Sequence, residues 1–224
     1  MPRTSRAIVG GHCYHFYNRG NNRMRLFHDR KDYVALQWLL AEAMDELDVP
    51  LLAACVMPNH VHLVLRPHRD GDLANWAHWF FTTHARRYHK RYDTSGRVWQ
   101  GRFKASLVQT DEHLLTLIRY VERNALRANL VTRAEQWEWG SLRWRQRGTS
   151  PVAMTPSPVP LPTSWIEYVN AAQTPAELEA IRNAIERQAP FGSDSWRTEK
   201  ARELGLEKSI APRGRPPRSI VTTK

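Results

Sequence analysis

The sequence predicts a mixed α and β chain in which short apolar strands are set among longer amphipathic helices. Two patterns lead there. Residues 12–18, 51–56, 60–65 and 97–108 are rich in Val, Leu, Cys and aromatic residues and are punctuated by turn formers, as strands are. Residues 32–47, 75–92 and 110–124 carry apolar side chains at helical spacing.

Taken in order, residues 12–18 read as a first strand, dense in aromatics. A cationic turn follows, with Gly20 flanked by Arg19, Asn21 and Arg23. Such a turn is either an ordinary hairpin or a place where backbone and guanidinium groups approach a phosphate. Residues 32–47 form a packing helix on Tyr33, Leu36, Leu39, Leu40, Ala43 and Leu47, closed by Pro50. Residues 51–56 then form an apolar strand. Met57, Pro58 and Asn59 join it, as a hairpin, to a strand beginning at His60.

That strand carries the sharpest chemical signal. Side chains alternate along a strand, so His60 and His62 share one face while Val61 and Leu63 anchor the other. Two imidazoles on a rigid strand form a ready pair of metal ligands. A His-x-His pair is more commonly a hydrogen-bonded or surface pair, and two histidines do not complete a site. A third ligand must come from elsewhere in the chain.

Helix 75–92 buries Trp76, Trp79 and Phe80 and presents a basic remainder that includes Arg86 and Arg87, either a solvated face or a phosphate-contacting one. The segment 97–108 interleaves Arg97, Arg102 and Lys104 with Trp99, Gln100 and Phe103, as a single-strand-binding platform does, although Trp99 and Phe103 fit a core equally well. In helix 110–124 the buried stripe is Leu114, Leu117, Ile118 and Val121. Tyr120 and Asn124, four residues apart, project as neighbours. A phenol and an amide side by side suit a nucleophile and a ligand, while a lone tyrosine is usually structural.

Composition narrows the partner. The chain has 224 residues with 33 Lys+Arg against 22 Asp+Glu, a net charge of +11. That excess favours nucleic acid or an anionic membrane. No apolar run reaches the length of a membrane span, and the N-terminus lacks a secretory core, so DNA or RNA leads. Cys13 and Cys55 sit in apolar strands and read as core thiols, and with an N-terminus that does not read as a secretory signal a reducing cytoplasm is the expected location.

With these residues in view, the chain resembles the REP-associated tyrosine transposases of the HUH single-tyrosine group. The resemblance rests on Tyr17-Asn18-Arg19-Gly20-Asn21-Asn22-Arg23, Met57-Pro58-Asn59-His60-Val61-His62-Leu63-Val64, Val98-Trp99-Gln100-Gly101-Arg102-Phe103-Lys104 and Arg119-Tyr120-Val121-Glu122-Arg123-Asn124, in that order. It implies a ferredoxin-like α+β fold around a central antiparallel sheet. It implies Tyr120 as nucleophile and His60, His62 and Asn124 as ligands of a divalent ion, Mg²⁺ or Mn²⁺. Relatives usually follow that Asn with Pro. Ala125 stands there instead, so the helix is expected to run on past Asn124. The resemblance implies cleavage of single-stranded DNA beside hairpins of repetitive extragenic palindromes through a 5′-phosphotyrosine. His15 and His113 are candidates for the base that deprotonates Tyr120. The alternative is a non-catalytic single-strand-binding module that stacks bases on Trp99, Phe103 and Tyr17.

These readings divide the chain into a catalytic domain at 1–148, a Pro-rich extended linker at 149–164, a helical region at 165–208 and a basic tail at 209–224. Residues 195–206 have the spacing of half a helix-turn-helix. The tail sets Arg213 and Arg215 about Gly214 between prolines, like an AT-hook core laid in a minor groove. The DNA-contacting set is thus Arg19, Asn21, Arg23, Arg86, Arg87, Arg97, Trp99, Gln100, Arg102, Lys104, Arg213 and Arg215. A monomer is slightly favoured, with a dimer open.

Overall fold

A computed structural model describes residues 8–212. The tail residues Arg213 and Arg215 lie outside the described part. Strands β1 (Cys13–Arg19), β2 (Leu51–Met57), β3 (His60–Leu65) and β4 (Lys104–Val108) form one antiparallel sheet in the order β2-β3-β1-β4. Helix α1 (Arg30–Leu47) joins β1 to β2, and α2 (Asp72–Tyr92) joins β3 to β4. This is the ferredoxin-like α+β arrangement.

Strand alternation divides the sheet into two chemically different faces. Tyr14, Phe16, Val61, Leu63 and Leu65 pack beneath α1 and α2 with Leu36, Leu40, Trp76 and Phe80. A capping box between Asp29 and Asp32 starts α1, satisfying orphan amides at its first turn. The other face carries Cys13, Cys55, Met57, Val64 and Val108. Over it lies α3 (Glu112–Glu122), with Leu114, Leu117, Ile118 and Val121 turned down, as the spacing predicts. Cys13 and Cys55 are both buried and free.

Three expected elements end differently. The strand expected over 97–108 is regular only from Lys104. Gly101 turns the chain at φ +61°, a conformation glycine adopts without penalty, and its N–H bonds to the Trp99 carbonyl. Helix 110–124 stops at Glu122, and a short helix, α4 (Asn124–Arg127), follows after a break at Arg123. With Ala125 in place of Pro the chain does continue helically, and Ala125 is buried beneath the break. The Pro-rich stretch 149–164 has no regular structure, but it is packed: Val152 is buried and the Thr155 N–H bonds to the Leu51 carbonyl on the outer side of β2.

After α5 (Ser141–Arg147), helices α6 (Trp165–Asn170), α7 (Pro175–Arg187), α8 (Asp194–Glu203) and α9 (Glu207–Ile210) complete the described chain. Trp165, Val169, Ile181, Ala184 and Phe191 share the core beneath α3. Phe191 also pairs with the far side of β4, exchanging backbone bonds with Leu107 and Gln109. The helical region is therefore built onto the open face of the sheet. At four residues, α9 is too short for the recognition helix of a helix-turn-helix.

At the centre of this packing lies a buried charge. Glu122, at the end of α3, accepts from the Ser141 hydroxyl at 2.5 Å, the Trp165 indole at 2.7 Å and the Arg145 guanidinium at 3.1 Å. Arg145 also donates to the Leu52 carbonyl. One carboxylate thus ties α3, α5, α6 and β2 together, and its satisfied oxygens make the burial tolerable.

Candidate active site

The sheet register brings distant residues into one row. Tyr17 on β1 lies opposite His62 on β3 and Lys104 on β4, and Arg19 lies opposite His60. All point to the face beneath α3 and α7. Those helices sit over β2–β3 and β4 respectively, which leaves a cleft between them. Its volume is about 680 Å³. The floor is Tyr17, His60, His62 and Lys104. One wall is Tyr120, Asn124 and Arg127, and the other is Arg182, Ile185 and Glu186 of α7. Arg19, Arg23, Gln100 and Arg102 stand at the rim. Six cations thus face one carboxylate, Glu186, among the described residues lining the cleft, which favours an anionic occupant.

The two histidines adjoin Tyr120. The rings of His60 and His62 lie 5.0 Å apart, and the Tyr120 ring stands edge-on to His62 at 5.8 Å. Each imidazole is held at Nδ1: His60 by Asn59 Oδ1 at 2.6 Å, and His62 by His15 Nε2 at 2.8 Å. In each ring Nε2 is the remaining nitrogen. Burial, reinforced by Arg19 and Arg127, pushes His60 down to about 3. Burial, with the neighbouring His15 and His60, holds His62 well below the usual imidazole range. Both rings are neutral near pH 7, the form that ligates metal. The Asn124 side chain is buried, and its Nδ2 finds no hydrogen-bond partner among the described residues. A buried N–H donor without a partner is costly unless an acceptor, such as the oxygen of an anionic occupant, lies beside it.

Arg127 has no counterpart among the residues singled out from the sequence. Its ζ carbon lies 4.0 Å from the centre of the Tyr120 ring. Its Nη1 donates at 3.4 Å to the Tyr120 carbonyl and to Gln173 Oε1. A cation over a phenol face is attracted to it, and more strongly once the oxygen gains negative charge. The arrangement holds two neutral imidazoles, an unsatisfied amide, a phenol and a guanidinium within one cationic cleft.

Residues 8–124, more than half of the chain, match the family described as IS200-like transposases. The chain belongs to that family. A curated protein of Haemophilus influenzae that bears the name of a REP-associated tyrosine transposase is 27% identical over 101 residues. The match takes in 40% of this chain, which spans 57% of that relative's length. Among solved structures, this chain is similar to a REP-associated tyrosine transposase bound to a REP hairpin. The TM-score is 0.54 at 15% identity, covering 78% of this chain and 93% of the other, a likeness of fold.

The segment that matches the family ends at Asn124, so Arg127 and the α7 wall lie beyond it. Of the expected DNA-contacting residues, Arg19, Arg23, Gln100, Arg102 and Lys104 line the cleft, whereas Asn21 and Arg97 do not. Arg86 and Arg87 are exposed on α2, across the sheet from the cleft. Trp99 and Phe103 are both 7% exposed. The Trp99 ring packs 4.6 Å from Phe81, its indole donates to His84 Nδ1 at 3.2 Å, and Phe103 stacks on Phe16 at 4.6 Å. They are core residues and offer bases no platform, because the loop folds back onto Gly20 through the Gly20–Trp99 bridge.

The base candidates also separate. His15 lies 6.2 Å from the Tyr120 ring, whereas His113 sits at the opposite end of α3 beside Phe191, lining a different cleft. With Asp111 and Glu112, His113 forms a cluster whose ligand-type atoms lie within 4.8 Å of one another. That cluster is remote from Tyr120 in the fold. Among the described residues no helix is long and apolar enough to cross a membrane.

Proposed function

We propose that this transposase cuts and rejoins single-stranded DNA beside hairpins of the REP type, with Tyr120 as the nucleophile. One observation carries the reading most: the phenol shares its cleft with His60, His62 and Asn124, ringed by cations. The donor set fits a divalent cation, since two neutral imidazoles each retain one nitrogen and Asn124, which lines the same cleft, carries an amide oxygen able to ligate. His60, His62 and Asn124 would hold Mg²⁺ or Mn²⁺, and a bound ion there supplies Lewis-acid polarisation of a phosphodiester. Imidazole ligands favour Mn²⁺ over Mg²⁺.

The chain's own residues do the rest. Arg19, Arg23, Arg102 and Lys104 draw the strand's backbone across the sheet, and an unpaired strand is the form whose phosphate can reach Tyr120. The Tyr120 oxygen attacks phosphorus and loses its proton. The P–O3′ bond breaks, the 3′ oxygen takes up a proton, and the 5′ phosphate stays esterified to Tyr120. The ester keeps the bond available for attack by another 3′-hydroxyl, the strand-transfer step. Arg127, over the phenol, favours the charge that builds on its oxygen. The proposed layout keeps the catalytic part at 1–148, with 149–208 packed onto its sheet and the basic tail after it.

The test is Tyr120→Phe. With a single-stranded hairpin oligonucleotide and Mn²⁺, the unaltered protein yields a denaturation-resistant protein–DNA adduct and a free 3′ end. The variant yields neither and binds the oligonucleotide as before. Cleavage that survives in the variant would indicate hydrolysis by an activated water instead. No cleavage by either protein would favour a binding module.

A further inference from the structure

The two imidazoles of the cleft are each fixed by a partner: Asn59, so far only a turn residue, and His15, so far only a candidate base. We propose that Asn59 and His15 are positioning residues that set the ring tautomers of His60 and His62, so that both present a bare Nε2 to the cleft. The inference rests on the reading of this pair as metal ligands and adds what makes them competent.

Asn59 stands at the hairpin turn between β2 and β3. Its Nδ2 donates to the Arg23 carbonyl at 3.0 Å, which decides that its Oδ1 faces His60. A carbonyl oxygen only accepts, so the proton of neutral His60 must sit on Nδ1. Nε2 is left with its lone pair. The turn that opens the strand therefore also orients the first imidazole. It draws on the cationic turn at Arg23 to do so.

His62 is governed by register. Tyr17 lies opposite it, so His15, two residues along the same face, is its diagonal neighbour across the β1–β3 pair. The two ring planes are nearly parallel, 7° apart, with 2.8 Å between His15 Nε2 and His62 Nδ1. Both are buried, His15 at 2% and His62 at 3% exposure. One proton lies between two neutral rings. If His62 donates it, the His62 Nε2 is bare. If His15 donates it, His62 carries its proton on Nε2 and cannot ligate. The surroundings favour the first arrangement. The second would aim an N–H dipole at a cleft lined by Arg19, Arg127 and Lys104, whereas a lone pair is attracted to those cations. His15 is not itself among the lining residues, so its part is played through His62.

The full-length protein, metal-free and ¹⁵N-labelled, tests this by long-range ¹H–¹⁵N correlation, which reports which ring nitrogen bears the proton. Both His60 and His62 should be protonated at Nδ1. His15→Leu should move a measurable share of His62 to the Nε2–H form and raise the Mn²⁺ dissociation constant, read from the electron paramagnetic resonance of free Mn²⁺, by about 10- to 100-fold. His15→Gln, whose Oε1 accepts where Nε2 did, should stay within about threefold of the unaltered protein. Asn59→Ala should weaken Mn²⁺ by about tenfold and Asn59→Asp should restore it. A wild-type His62 protonated on Nε2 would overturn the inference. So would His15→Leu and Asn59→Ala variants that bind Mn²⁺ as tightly as the parent. An unaltered protein with both rings in the Nδ1–H form but no Mn²⁺ binding would sink the metal reading and support the tautomer assignment.

Discussion

Replacing Arg127 with Met keeps the length of the side chain and removes its charge from above the Tyr120 ring. The ζ carbon lies 4.0 Å from the ring centre. The oxygen that takes the charge lies outside the ring, so a full charge pair at about 5 Å in a medium of effective dielectric ~20 is worth about 3 kcal/mol. The attraction between the cation and the neutral ring, about 1 kcal/mol, is present before reaction and does not accelerate it. Solvent enters the cleft and screens the remainder, so about 2 kcal/mol should separate transition state from ground state. At ~1.4 kcal/mol per decade that is roughly a thirtyfold slower attack. The assay is single-turnover formation of the denaturation-resistant adduct at saturating hairpin oligonucleotide with Mn²⁺. Oligonucleotide affinity should fall only a fewfold, and Arg127→Lys should recover part of the rate. Thermal melts must match the parent, because Arg127 also reaches Gln173. An Arg127→Met protein that forms adduct within about threefold of the parent rate would refute the electrostatic role.

Other perturbations follow from particular contacts. Glu122→Leu leaves the Arg145 guanidinium without its buried partner and should cost about 3–5 kcal/mol in urea unfolding. A loss under about 1 kcal/mol would mean the network is dispensable. His84 is pushed down to about 4 by burial, so as the pH falls below about 6.5 the unfolded chain binds a proton that the folded chain refuses. Its contribution is therefore present above 6.5 and lost progressively towards 4, about 3 kcal/mol in all. In His84→Asn the stability-versus-pH curve should be flatter by about one proton across that window, and an unchanged slope there would contradict the assignment. Truncation after Pro212 removes Arg213, Arg215, Arg218 and Lys224 while sparing the Lys208 and Ala211 carbonyls that Arg187 holds. Single-strand affinity should drop, and the slope of log K against log salt should shrink by about 0.7 for each phosphate that the tail neutralises. An identical slope would remove the tail from DNA binding.

Much of the frame was legible because it is written in local periodicity. The apolar alternation of β3, the two-residue hairpin at Pro58 and Asn59, and the buried stripe of α3 each follow from neighbouring residues alone. So does the shared face of His60 and His62, which strand geometry compels wherever the strand lies. Interleaved charge and aromatic residues left Trp99 and Phe103 open between core and platform, and placed Trp99 among the DNA-contacting residues. A loop's side chains have no fixed period, and here the chain turns back at Gly101 and takes both rings into the core.

What the sequence by itself determined was a basic α and β chain with two strand histidines and a helix that offers a tyrosine and an asparagine. Which groups surround them was decided by pairing and packing across long separations. The β1–β3 register set His15 against His62, the break at Arg123 brought Arg127 over Tyr120, and α7 closed the far wall with Arg182. The physical reason is that a neighbour across a sheet or beneath a helix leaves no mark in local spacing. It exists only once the register is fixed and the apolar faces are buried.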